Sequence, residues 1–174
     1  MSLATIDVSD LVGHPGASRE QRLTGTLDGL ATEVASVPDD APIEAELLLE
    51  SVLEGILVSG SLRGTFRLTC SRCLTGFEAP FDVAVSELFV PEPDPDADDY
   101  RLDPETGVAT EQMARDAIGV QMPFSPLCRA DCLGLCEVCG GNRNLDECPG
   151  HRDVDPRFAV LSGLFPDDTT ETDD

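Results

Sequence analysis

The chain has 174 residues, 41% of them hydrophobic, and a formal charge of −23 from 11 basic and 34 acidic residues. That length can bury a real core, so metal need not carry the whole fold, and no apolar run approaches the ~20 residues of a membrane helix. An acidic field of this size disfavours broad binding along a nucleic-acid backbone and suits basic protein partners or simple solubility.

Every basic residue is Arg, and the acids concentrate in two runs, 91–105 and 166–174. The first twelve residues carry Asp7 and Asp10, no base and no long apolar stretch, so a cytoplasmic protein is expected. A short element at 6–12 leads into the turn Gly13-His14-Pro15-Gly16, where His14 stands alone as a solvated turn residue. A strand and a Gly-containing turn are expected within 19–30.

Region 43–90 carries the clearest pattern. Ile43, Ala45, Leu47 and Leu49 alternate with Glu44, Glu46 and Glu50, with Leu48 breaking the alternation, as in a half-buried strand. Glu54-Gly55 turns the chain, and a second strand starts at Ile56-Leu57-Val58. Along 63–70, Phe66, Leu68 and Cys70 share one face while Arg63, Thr65, Arg67 and Thr69 share the other. After Cys73, residues 77–89 predict a further strand with Phe81, Val83 and Val85 on one side. Short turns between these strands predict an antiparallel meander.

Alternating Pro and acid at 91–96 can neither pair in a sheet nor build a core, so 91–105 is expected to be a flexible acidic loop. Met113, Ala114, Ala117 and Ile118 mark an amphipathic helix at about 110–122, ended by Pro123 and packed on the sheet. Region 124–165 is rich in Cys and Gly and closes with a short helix at 155–165 carrying Phe158, Leu161 and Leu164. Residues 166–174 read as a disordered acidic tail.

Seven cysteines, Cys70, Cys73, Cys128, Cys132, Cys136, Cys139 and Cys148, together with His151 make eight candidate ligands. Structural zinc takes four Cys or His ligands tetrahedrally, so eight fill two closed sites, and the odd cysteine count argues against a disulfide framework. Cys136-x2-Cys139 with Cys148-x2-His151 forms a compact local set, its first turn followed by Gly140 and Gly141. Cys70-x2-Cys73 with Cys128-x3-Cys132 forms a non-local one. The local set is the stronger on spacing, but Cys70 and Cys73 could instead join Cys136 and Cys139, leaving the rest to form the other site. The run Cys132-x3-Cys136-x2-Cys139 also has the spacing of iron–sulfur sites in radical enzymes, but only 35 residues follow it, too few for their barrel. A thioredoxin-like role for Cys70 and Cys73 would need a β-α-β frame, whereas the flanks read as strands.

No nucleophile is paired with a His, no phosphate loop is possible without Lys, and no carboxylate cluster with Mg²⁺ spacing is identifiable, so no enzyme is expected. Seven of the eleven Arg, at 63, 67, 72, 129, 143, 152 and 157, lie in or beside the cysteine regions. Arg63, Arg67, Arg72, Arg129 and Arg143 are the candidates for contact with RNA or a partner; their plainer role is to offset thiolate and carboxylate charge.

The ordered series Cys70-Ser71-Arg72-Cys73-Leu74, Pro126-Leu127-Cys128, Cys132-Leu133-Gly134-Leu135-Cys136, Cys139-Gly140, Asn144-Leu145, Cys148 and Asp155-Pro156-Arg157 with Leu161 resembles the large ribosomal RNA subunit accumulation proteins, the YceD-like family. The resemblance implies a noncatalytic role in large-subunit biogenesis, supporting accumulation or maturation of 23S ribosomal RNA. Many of those relatives close the last knuckle with Cys, where His151 stands here. The expected fold is α+β: an antiparallel sheet, open or curled toward a barrel, with a packed helix, spanning 1–123, then a zinc knuckle module at 124–165. The expected cofactor is one or two zinc ions per chain. The expected partner is a basic ribosomal protein, 23S rRNA or a pre-50S particle, with no membrane and no small-molecule substrate. The competing class is a redox- or metal-responsive zinc regulator.

Overall fold

The computed structural model describes residue 3, residues 5–96, 98–103, 105, 107–145, 148 and 157. Six strands form a single sheet: β1 (Ser18–Gly25), β2 (Ala35–Ser36), β3 (Ile43–Ser51), β4 (Ile56–Thr69), β5 (Gly76–Val90) and β6 (Tyr100–Arg101). Among the described residues one helix follows, α1 (Thr110–Gln121). The path through the sheet runs β1-β3-β4-β5-β6, with β2 paired to β4.

The alternation of region 43–90 governs which face is covered. Ile43, Ala45, Leu47 and Leu49 are buried in β3, and Ile56, Val58, Leu62, Phe66 and Leu68 in β4. Leu48 lies half-buried on the outer face. The two stretches of apolar pattern at 56–58 and 63–69 belong to one strand, continuous through Ser59, Gly60 and Ser61. Gly60 sits at φ 152, and a Cβ there would meet the Glu46 carbonyl oxygen of β3 at 2.0 Å, so only glycine lets the two strands close up. On the outer face Arg63 lies opposite Glu44 and Asp82 and bonds Glu46 at 3.1 Å and Asp82 at 2.9 Å.

The sheet is open, which corrects the barrel-like alternative. A barrel needs its first and last strands to pair. Here β1 and β6 end the path, and β6 has two residues. The core is completed instead by α1 and by Leu3, Ile6, Val8 and Leu11 from the N-terminal segment. Two further expectations change. The sheet is mixed, because β6 runs parallel to β5, pairing Tyr100 with Phe89 and Arg101 with Val90. The acidic stretch 91–105 is therefore not loop throughout. The Tyr100 ring stacks on Phe89 with centroids 5.1 Å apart, its hydroxyl donates to Asp116 at 2.9 Å, and Leu102 is buried. The expected helix at 155–165 and the tail at 166–174 lie outside the described residues, apart from Arg157.

Helix α1 buries Thr110, Met113, Ala114 and Ile118, the face set by apolar spacing, and Met122 leaves the helix with an extended backbone ahead of Pro123. The core therefore joins all the long strands to α1 through Phe89, Met113 and Ile118. Phe89→Ala is expected to lower unfolding free energy by about 3–5 kcal/mol. Leu53→Ala, at a side chain 92% exposed, is expected to change it by less than about 0.5 kcal/mol; equilibrium denaturation of both variants checks the contrast.

Candidate metal centre

The turn joining β4 to β5, the longest hairpin in the sheet, is a cysteine knuckle. The last strand pair is Thr69 with Gly76, and residues 70–75 lie between. The Leu74 N–H donates to the Cys70 carbonyl at 2.9 Å, and the Cys70 N–H donates to the Thr75 carbonyl at 3.0 Å. Further along the chain, the Ser71 N–H donates to the Pro126 carbonyl at 2.8 Å. That bond brings the segment after α1 against the knuckle and seats Cys128 and Cys132 over it.

The Sγ atoms of Cys70, Cys73, Cys128 and Cys132 all lie within 4.8 Å of one another. Cys70 and Cys132 are 3.8 Å apart, and Cys73 and Cys128 are 3.6 Å apart. Sulfurs bound tetrahedrally at about 2.3 Å from one ion lie about 3.8 Å from each other, whereas a disulfide needs about 2.05 Å. The donor set and spacing fit a closed four-thiolate site. Cys70, Cys73 and Cys132 are buried in a small cluster of their own, with Phe77 linking it to the main core.

Electrostatics in this cluster divide the thiols. The backbone N–H of Cys128, with those of Cys73 and Arg72, lowers Cys70 to about 6. The Thr75 hydroxyl, then its N–H, lowers Cys73. Burial, then the neighbouring sulfurs, pushes Cys128 up to about 12. Four thiolates held this close repel one another, so a cation among them would favour the thiolate forms.

A second group gathers Cys136, Cys139 and Cys148, with Sγ atoms again within 4.8 Å of one another. Its frame repeats the first. The Gly140 N–H donates to the Cys136 carbonyl at 2.8 Å, and the Cys136 N–H to the Gly141 carbonyl at 2.8 Å. The N–H groups of Cys139 and Val138 lower Cys136 to about 7, as those of Cys73 and Arg72 act on Cys70. Cys139 is exposed, so this group is the more open of the two. His151, the expected fourth ligand, lies outside the described residues, as does Arg152.

Of the two ligand groupings that spacing left open, the geometry selects Cys70 and Cys73 with Cys128 and Cys132; joining them to Cys136 and Cys139 is corrected. The arginines divide as well. Arg63 is seven positions before Cys70, roughly 23 Å along an extended strand, and its charge is spent on Glu46 and Asp82. Arg67 lies exposed on β4, opposite Glu78. Arg72 and Arg129 do converge on Cys132: Arg72 Nη1 donates to its carbonyl at 3.0 Å, and its N–H donates to the Arg129 carbonyl at 3.2 Å. Arg129 also donates to Asn144 at 2.6 Å, and Arg143 is exposed, with its N–H on the Gly134 carbonyl.

Residue spacing did not reveal Thr75, Asn142 and Asn144, which hydrogen-bond at the first site. The available signal was a pair of asparagines between Cys139 and Cys148, where a solvent loop would not require them.

A profile of the family described as "Large ribosomal RNA subunit accumulation protein YceD" matches residues 58–165. The chain belongs to this family. The matched span starts inside β4 and runs through both cysteine groups. Among curated proteins, uncharacterized proteins of Mycobacterium tuberculosis and Mycobacterium bovis are each 37% identical over 166 residues, covering 90% of this chain and 79% of theirs. An uncharacterized protein of Mycobacterium leprae is 30% identical over 184 residues, covering 99% of this chain and 84% of its own. No solved structure matches.

The two knuckles of this YceD-family chain differ in the residue that follows the second cysteine. Where the second has Gly140 at φ 72, the first has Leu74 at φ 57, the one non-glycine with positive φ among the described residues. A left-handed backbone at a residue bearing Cβ costs about 1–2 kcal/mol. Leu74→Gly is therefore expected to raise stability by about 1 kcal/mol, about 2–4 °C in Tm. Gly140→Ala is expected to lower it by a similar amount, since a Cβ there meets nothing within 4 Å and strain alone acts. Thermal unfolding of the metal-loaded protein checks both.

Proposed function

We propose that this chain is a noncatalytic, cytoplasmic factor of large-subunit ribosome biogenesis that supports 23S rRNA accumulation, with zinc holding its cysteine groups. Membership of the family over residues 58–165 is the observation that carries the reading. The all-sulfur donor set of the first group favours zinc, and a thiolate-rich site with no open position is structural rather than catalytic. Cys70, Cys73, Cys128 and Cys132 would hold one ion; Cys136, Cys139, Cys148 and His151 would hold the other. Among the described residues no helix is long and apolar enough to cross a membrane.

For the partner, the net charge of −23 favours a basic ribosomal protein over a bare RNA backbone. A cleft of about 630 Å³ between β5, β6 and α1 supports this, lined by Glu87, Asp98, Asp99 and Asp116. Burial, then repulsion from Asp98 and Asp116, holds Glu87 above the usual carboxylate range, so the cleft gains from any cation brought to it. The exposed Cys139 favours a second reading, a zinc site that responds to oxidants. Reversible zinc loss under mild peroxide with the fold retained would select that reading.

Elemental analysis of untagged protein is expected to give about two zinc per chain; Cys70→Ser with Cys132→Ser is expected to remove one. Iron in place of zinc would overturn the assignment. In a deletion strain of the native host, 23S rRNA is expected to fall relative to 16S, restored by the wild-type chain and not by the double serine variant. An unchanged ratio on deletion would sink the ribosomal reading.

A further inference from the structure

We propose that Asn142 and Asn144 couple the two cysteine groups, so that a metal ion at Cys136, Cys139 and Cys148 tightens the hold of Cys70, Cys73, Cys128 and Cys132 on theirs. The inference rests on the metal reading above and goes beyond it to a positioning role for two amides.

The side chain of Asn144 uses both of its ends. Its Nδ2 donates to Cys132 Sγ at 3.4 Å and to Asn142 Oδ1 at 2.8 Å. Its Oδ1 accepts from the Leu133 N–H at 2.8 Å and from Arg129 Nη2 at 2.6 Å. Asn142, which is buried, accepts the Asn144 N–H at 3.0 Å and donates from Nδ2 to Thr75 Oγ1 at 3.4 Å. Thr75 Oγ1 in turn lies 3.4 Å from Cys73 Sγ. A thiolate only accepts, so the relay runs one way, from the Asn142 amide through the Thr75 hydroxyl to the Cys73 sulfur. Two of the four sulfurs of the first group, Cys73 and Cys132, thus end on one pair of asparagines.

Those asparagines belong to the other group's segment, between Cys139 and Cys148. Backbone bonds dock that segment onto the linker between the groups, which is itself tied to the first knuckle: Leu135 bridges Asn142, the Arg143 N–H donates to the Gly134 carbonyl at 3.0 Å, and the Leu135 N–H donates to the Arg72 carbonyl at 3.0 Å. An ion that pins Cys139 and Cys148 fixes both ends of the segment, so the entropy of ordering it is already met when the amides engage the first group's sulfurs. Polar partners of ligand atoms orient them, and losing such partners weakens metal binding about 10–100-fold. Linkage makes the effect reciprocal: each ion raises affinity for the other by the same factor.

The test uses the full chain and Zn²⁺, with affinities from competition against a chromophoric chelator and site identity from Co²⁺–thiolate absorption. Cys136→Ser with Cys139→Ser reports the first site alone; Cys70→Ser with Cys132→Ser reports the second alone. The product of the two wild-type affinities is expected to exceed the product of the isolated ones by about 5–150-fold. Asn142→Ala with Asn144→Ala is expected to bring that factor to about one. Asn144→Asp, which keeps the acceptor for Leu133 and Arg129 but loses the N–H donors, is expected to lower it too and guards against misfolding of the double alanine variant. A wild-type factor near one, or a large factor unchanged by Asn144→Asp, overturns the coupling while leaving the metal sites standing. No Zn²⁺ uptake at all would overturn the metal reading and the coupling together.

Discussion

Four sulfurs at the end of a hairpin set the terms for the rest of this molecule. The β4–β5 ladder carries the sheet, with fourteen residues of each strand in register, and its turn is a metal-type knuckle rather than a two-residue loop. A plain turn would leave the hairpin's end in solvent. This one presents Cys70 and Cys73 to a segment 55–62 residues further along, and the Ser71–Pro126 bond fixes where that segment lands. The path of the chain after α1 follows from this clasp, and so does the place of the second cysteine group, whose loop docks on the first.

Two knuckles with one hydrogen-bonding scheme sit in different surroundings. The first is continuous with the sheet through Phe77 and is largely buried. The second stands further out, with Cys139 exposed. Burial favours permanence, because a ligand screened from water and held by backbone N–H groups exchanges its ion slowly; exposure favours exchange and attack on sulfur. The same motif thus stands in two surroundings, and under the proposed coupling the asparagines between Cys139 and Cys148 would let the outer one report to the inner.

Much of the fold was legible because its signals are local. The alternation around Ile43 to Leu49 and the Met113–Ile118 spacing each depend on the burial of one face, and both appear as read. Tyr100 was not legible: it follows a run of Pro and Asp, and its pairing depends on an aromatic partner, Phe89, on a neighbouring strand. Closure of the sheet was equally beyond reach, since it depends on which elements cover the buried side of the sheet, and the N-terminal segment contributes to that core. At the site, the cysteines that gather into two groups stood out from spacing as candidate ligands, whereas the grouping of Cys70 and Cys73 with Cys128 and Cys132 did not, because only the folded path decides which Cys pairs meet. Arg63 shows the reverse error: proximity in sequence to Cys70 suggested a shared surface, but an extended strand carries the two apart.

The long separation within the first site also has a consequence in time. Cys70 and Cys73 are synthesised well before Cys128 and Cys132, and at about 5–20 residues per second a nascent chain carries an incomplete half-site for several seconds. During that interval the two thiols lack both the sulfurs that complete the group and the Cys128 N–H that most lowers Cys70. The first group therefore cannot close until Cys132 has been made, and the hairpin that carries its first half waits on a distant part of the chain.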